Sequence, residues 1–187
     1  MRANGRLTRR QLVAAAVLLP LGTARAGTAP PEVHRELDGA RLQGSGRLRF
    51  IGLAIYEARL WTLAPVASGA WATSPLALEI EYARSLSGQK IAERSLEEMR
   101  RQGDITAATA ERWLGAMKSL FPDVREGDRI TAVFKPGESL RFFVNGALKG
   151  EVRDAEFART FVGIWLSPRS SELTLRQALF GAPLDQR

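Results

Sequence analysis

The chain reads as one α+β domain built on a mainly antiparallel sheet. Three observations predict this. Strand-like and helix-like stretches gather in runs instead of alternating one by one. Pro136-Gly137 and Asn145-Gly146 are tight turns of the kind that join antiparallel neighbours. Apolar residues recur at helical spacing in some stretches and on alternate residues in others. At 187 residues the length suits a single domain.

The order begins with an address. Arg2, Arg6, Arg9 and Arg10 make a basic start, residues 12–21 are apolar but too short to span a bilayer, and Ala24-Arg25-Ala26 is a small-x-small cleavage site. Residues 1–26 therefore read as a cleaved export signal, which implies a periplasmic or otherwise exported protein. Thr8-Arg9-Arg10-Gln11-Leu12-Val13 also suits twin-arginine export, and an ordinary secretory signal suits the same arginines. Residues 27–36 are a Pro-rich, flexible lead-in containing His34, and residues 37–187 form the domain.

Asp38-Gly39 and Gly44-Ser45-Gly46 bracket a short strand, 40–43. Residues 48–62 read as one long strand, apolar on both faces and so covered on both. Residues 64–74 are a loop of small residues around Trp71. Leu76, Leu78, Ile80 and Tyr82 alternate with outward Glu79 and Glu81. After Ser87-Gly88, Ala92, Leu96 and Met99 mark a helix. Ala110, Trp113, Leu114, Met117 and Phe121 mark a second, which Pro122 stops. Strands at 130–134, 140–144 and 147–152 form a meander. Asp154 caps a helix striped by Phe157, Phe161, Ile164 and Trp165, ended at Ser167-Pro168. Thr174-Leu175-Arg176-Gln177 is a capping box for a last short helix, closed by Gly181.

Composition removes several function classes. The formal charge is +7, but residues 1–26 hold five arginines and no acid, which leaves 22 basic against 20 acidic residues, or +2. The basic residues are interleaved with acids, so no nucleic-acid footprint remains. No cysteine and one histidine argue against a disulfide framework, a thiolate nucleophile, a metal site or a Ser-His triad. No cofactor is implied, and nothing after the signal is suited to span a membrane.

Several segments together resemble the chalcone isomerase-like superfamily, nearest its bacterial exported group. They are Gly46-Arg47-Leu48-Arg49 leading to Ile55-Tyr56-Glu57-Ala58-Arg59-Leu60-Trp61, the turn Leu86-Ser87-Gly88 with Glu93-Arg94-Ser95-Leu96-Glu97-Glu98-Met99-Arg100, then Phe121-Pro122-Asp123-Val124, and Gly163-Ile164-Trp165-Leu166-Ser167-Pro168. The resemblance implies an open-faced β-sandwich with helices packed on one face and a cleft between them. In the plant enzymes of this superfamily that cleft closes a flavanone ring. Other members bind fatty acids without such activity.

Carried over by position, the resemblance places the plant threonine near Ile51, the tyrosine on Ile91, the lysine on Arg94 and the asparagine near Glu98. An arginine is matched by Arg47 or Arg49. Two hydroxyl donors would thus be isoleucine, and such donors are worth about 3–4 kcal/mol each to a developing oxyanion. The expectation is a binder of a small apolar or amphipathic ligand, fatty-acid-like or an aromatic acid, with no confident catalytic residue. Its ligand-binding residues would be Arg49 and Arg94, which suit a carboxylate, with Tyr56, Tyr82 and Arg84 as neighbours. Solvated or salt-bridged surface positions are the alternative for the arginines, and Glu98 stands at i+4 from Arg94. Two other functions stay open: an altered intramolecular lyase or isomerase, and an accessory protein that docks on an exported or membrane partner through the Trp71 loop.

Overall fold

Period-two alternation produces six strands, and a computed structural model, which describes residues 28–181, joins them in one antiparallel sheet in sequence order. They are β1 (Arg41–Phe50), β2 (Leu53–Thr62), β3 (Leu76–Tyr82), β4 (Arg129–Lys135), β5 (Ser139–Val144) and β6 (Ala147–Val152). The helices are α1 (Pro31–Glu36), α2 (Gly88–Arg100), α3 (Ala107–Leu120), α4 (Ala155–Leu166) and α5 (Leu173–Leu179). The expected leader, residues 1–26, lies outside the described residues.

The main core lies between one sheet face and α2 to α5. Leu60, Leu78, Phe134 and Phe142 from the sheet meet Met99, Trp113, Phe157 and Leu166 from the helices. Burying each such side chain contributes about 1.5–3 kcal/mol. Asp154 caps α4 as its position predicts: its Oδ1 accepts from the Phe157 N–H at 2.9 Å. Its Oδ2 also accepts from the Trp113 indole at 2.9 Å, which ties α3 to α4.

Four expectations change. The stretch 48–62 is a hairpin: Ile51 and Gly52 both have positive φ, 48° and 77°, and turn β1 into β2. Two apolar faces came from two different strands. Gly44 and Gly46 are not turn residues. They lie inside β1, where α5 crosses it so closely that a Cβ on Gly44 would sit 2.2 Å from the Ala178 carbonyl oxygen. The last helix begins at Leu173 after Glu172, so Thr174 lies within it and forms no cap.

The fourth change concerns the other sheet face. The lead-in is not flexible along its length, because residues 31–36 form α1, and the helices are therefore not all on one face. Val33 and Leu37 pack on Trp61, Ala77, Val133 and Phe143. Fully buried Glu32 binds Arg129 and the Thr131 hydroxyl, each at 2.9 Å. Glu79 faces this side as expected, yet it is buried: it accepts from the Trp61 indole at 2.8 Å and from Arg59 at 3.1 Å. Paired buried charge reads in a sequence like solvated charge. His34 is exposed on the outer side of α1, 3.3 Å from Asp38.

Candidate functional site

A cavity of about 460 Å³ opens between the sheet and α2, at the end of the sheet that carries the β1–β2 turn. Two local devices shape it. The first is a bulge opposite Leu48 and Arg49, where Ile55 is the extra residue of β2. It lets the consecutive residues Ile55 and Tyr56 both reach the cavity wall, which plain alternation would forbid. The second is the Leu86-Ser87-Gly88 turn. Leu86 pairs with Val124, the Gly88 N–H donates to Asp123 Oδ1 at 2.9 Å, and a Cβ on Gly88 would lie 2.1 Å from the Phe121 carbonyl oxygen. This turn fixes where α2 starts, and hence which of its residues face inward.

Those residues are Lys90, Ile91, Arg94, Ser95 and Glu98, one helical stripe. Ala92, Leu96 and Met99, one position round, fill the core. Leu78, Ile80, Ile130, Ala132 and Phe161 make much of the remaining wall. Such a concavity, apolar with a few convergent polar groups, is the usual form of a small-molecule site.

Of the residues the sequence singles out, Arg49, Tyr56, Tyr82 and Arg94 all line this cavity. Arg84 does not; it is exposed beyond the end of β3. Ile91 lines the wall as the carry-over places it, and Glu98 closes it below. Ile51 does not. It sits at the hairpin tip, 86% exposed, so it cannot stand for a hydroxyl in the cavity. The argument from two lost donors therefore loses one of its two positions.

Phenols are in fact present. Tyr56 Oη accepts from the Trp165 indole at 2.9 Å, and the Tyr56 and Tyr82 rings meet edge to face with centroids 6.3 Å apart. Burial pushes both phenols well above their ordinary value near 10. Glu172 and Glu98 push Tyr56 further up, against the Trp165 hydrogen bond and Arg94, which act the other way. Both are therefore neutral hydroxyls at physiological pH, able to donate and poor as bases.

Arg94 is already engaged. It pairs with Glu97 at 3.1 Å and with Glu98, whose side chain is 6% exposed. A ligand carboxylate would have to displace Glu98 from it. Arg49 and Lys90 are different. Both are exposed at the rim, neither forms an ion pair among the described residues, and the Arg49 side chain bonds only the Gly52 carbonyl, at 3.5 Å. Lys90, Ser95, Trp165 and Glu172 escaped the sequence reading. The spacing of 91, 94, 95 and 98 along α2 was the signal that could have found Ser95.

The family model described as chalcone isomerase-like matches residues 29–181. The chain belongs to the chalcone isomerase-like family. A curated relative from Haemophilus influenzae, an uncharacterized protein, is 28% identical over 107 residues. That match covers 57% of this chain and 52% of the relative, so the chain spans about half the length of the curated relative it matches. Among solved structures, a fatty-acid binding protein of Arabidopsis thaliana superposes with a TM-score of 0.60 at 14% identity. It covers 76% of this chain and 87% of that one. At that identity the likeness concerns the fold: a six-stranded antiparallel sheet with helices, α+β, as the sequence predicts.

Trp71 is not exposed, so it offers no aromatic anchor for the docking alternative. Trp71 is buried in a short 3-10 turn, Trp71–Thr73, and packs into the main core. No described helix is long and apolar enough to cross a membrane.

Proposed function

We propose that this protein is an exported binder of a small amphipathic anion, fatty-acid-like or an aromatic acid, which it holds without transforming it. One observation carries the reading: the cavity is walled mainly by apolar side chains, and two of its lining cations, Arg49 and Lys90, stand at its rim with no ion pair among the described residues. An apolar tail would lie against Ile80, Ile130, Ala132 and Phe161, and the carboxylate would meet the rim. The fold neighbour's description as a fatty-acid binding protein supports this assignment. The export part rests on residues 1–26 alone.

The test is a titration with palmitate, followed by calorimetry. Ile91→Trp should fill part of the cavity and weaken binding about tenfold or more. Replacing both Arg49 and Lys90 by Ala should weaken the acid about tenfold and leave the matching alcohol almost unchanged. Equal loss for acid and alcohol would sink the rim assignment. No measurable uptake of either would sink the binding reading.

A second reading has its own observation. Tyr56 places a neutral phenol in the cavity beside the Arg94 pair, and such a donor could stabilise an enolate oxygen. It predicts loss of a chalcone's visible absorbance above the spontaneous rate, abolished by Tyr56→Phe. Occupation of Arg94 by Glu97 and Glu98 favours the binder, since the guanidinium nearest Tyr56 among the described residues is already engaged and not free to hold a nucleophile.

A further inference from the structure

The β1–β2 tip has a side chain that suits neither its backbone nor water. Ile51 sits in the left-handed region at φ 48°, where a β-branched residue is strained, and it is 86% exposed. Phe50 and Leu53, which pair across the turn, are 66% and 57% exposed. The same molecule makes such a turn without strain or grease at Asn145-Gly146, with φ 49° and 84°. There the Asn145 side chain accepts from the Arg129 N–H and donates to Asp128, at 2.8 and 2.9 Å. The fold therefore has no need of an apolar tip.

The surroundings indicate what the tip meets. Arg49 flanks it, and Lys90 stands on the rim of the cavity just inside. The Ala83 N–H donates to the Ile55 carbonyl, which puts exposed Arg84 at the same end of the sheet. None of these three forms an ion pair among the described residues. The nearby acids are largely committed: Glu57 to Arg47 and Arg59, Glu98 to Arg94, and Glu81 to Arg59. Glu172, on the cavity wall, and exposed Glu126, next to the Gly127 N–H that donates to the Tyr82 carbonyl, are the exceptions.

We infer that the Phe50-Ile51-Gly52-Leu53 tip inserts into the interface of an anionic lipid bilayer, with Arg49, Arg84 and Lys90 against the headgroups. An apolar wedge with a basic collar suits that surface better than a neutral one. Because Phe50 and Arg49 also line the cavity, insertion sets its mouth against the bilayer. Ligand exchange with the membrane rests on the proposed function above; insertion itself does not.

The chain has no cysteine, so a single introduced one takes one label. Ile51→Cys is labelled with an environment-sensitive fluorophore, with Glu138→Cys on the β4–β5 turn at the far end of the sheet as control. Both chains, without residues 1–26, are mixed with phosphatidylcholine vesicles, with and without one third phosphatidylglycerol. The label at 51 should shift to the blue and be quenched by bilayer-embedded quencher on the mixed vesicles, and the label at 138 should not. Unlabelled Ile51→Asn should melt higher than the parent chain, keep its palmitate affinity, and lose about tenfold or more of the salt-sensitive vesicle binding. Three results would overturn the inference. One is chain that sediments with vesicles while label 51 stays in water. Another is Ile51→Asn binding vesicles like the parent. The third is a blue shift without lipid that rises with protein concentration, the mark of a second copy on the tip. Palmitate binding is read separately, so loss of the membrane inference leaves the ligand reading standing or falling on its own data.

Discussion

Tyr56→Phe asks whether the phenol in the cavity wall is a structural partner. The ring stays, so its packing against Tyr82 is kept and the added void is about one oxygen atom. What goes is the acceptor 2.9 Å from Trp165 Nε1, on an indole that is 9% exposed. A buried donor left without a partner costs about 1–3 kcal/mol. Water in the open cavity can reach this one, so the expected cost is in the lower half, about 1.5 kcal/mol. A domain of this size loses about 2–4 °C per kcal/mol, which gives a fall of about 3–6 °C in melting temperature. Urea unfolding of Tyr56→Phe, Trp165→Phe and the double variant should give a coupling of about 1 kcal/mol. A single variant within about 0.3 kcal/mol of the parent, with no coupling, would refute the reasoning, because the hydrogen bond would then contribute nothing.

The chain has two tyrosines and both line the cavity, so absorbance of the native protein at 295 nm should show no phenolate near pH 10. Because burial raises both phenols, the stability they contribute is complete below about pH 10 and falls as the pH climbs above it; a normal titration near 10 would contradict their burial. Asp154→Ala removes a helix cap and the partner of Trp113, and should cost about 2 kcal/mol in urea unfolding; Asp154→Asn should cost less. Hydrogen bonds from the Phe157 N–H, Trp113 and Arg112 hold that carboxyl below its usual range against its own desolvation. Its contribution is therefore present above about pH 4 and is lost as the pH drops through the lowered value. Gly44→Ala should push α5 off β1 and cost about 2–4 kcal/mol, whereas Gly39→Ala, with open space around it, should cost only the strain of its positive φ, about 1 kcal/mol. Ile51→Asn should gain about 1 kcal/mol in water by the same logic reversed.

The meander and helices α2 to α4 were legible because period and punctuation agreed: Asn145-Gly146 turns, Asp154 caps, and Pro122 stops. The β1–β2 hairpin was hidden because Ile51 is a poor turn former, so Gly52 looked like a lone glycine in a strand. Helix α1 is a single short turn and a half, too brief to show a period, and what holds it is a buried ion pair from Glu32 to Arg129 across 97 residues. No local pattern encodes such a partner. The site was legible in part for the same reason. The resemblance brought Arg94 and Ile91 to the cavity and placed Ile51 wrongly, since it assumed one strand where the chain makes two. Whether Arg94 was free or paired depended on Glu98, and the sequence offered both.

Native mass spectrometry of the protein as isolated, before and after denaturation, tests ligand binding most directly. The account predicts a bound species of fatty-acid or aromatic-acid mass that is lost on unfolding, absent from Ile91→Trp, and restored to the stripped parent chain by palmitate. A bare mass in the isolated protein, together with no uptake of palmitate by the stripped chain, would contradict it.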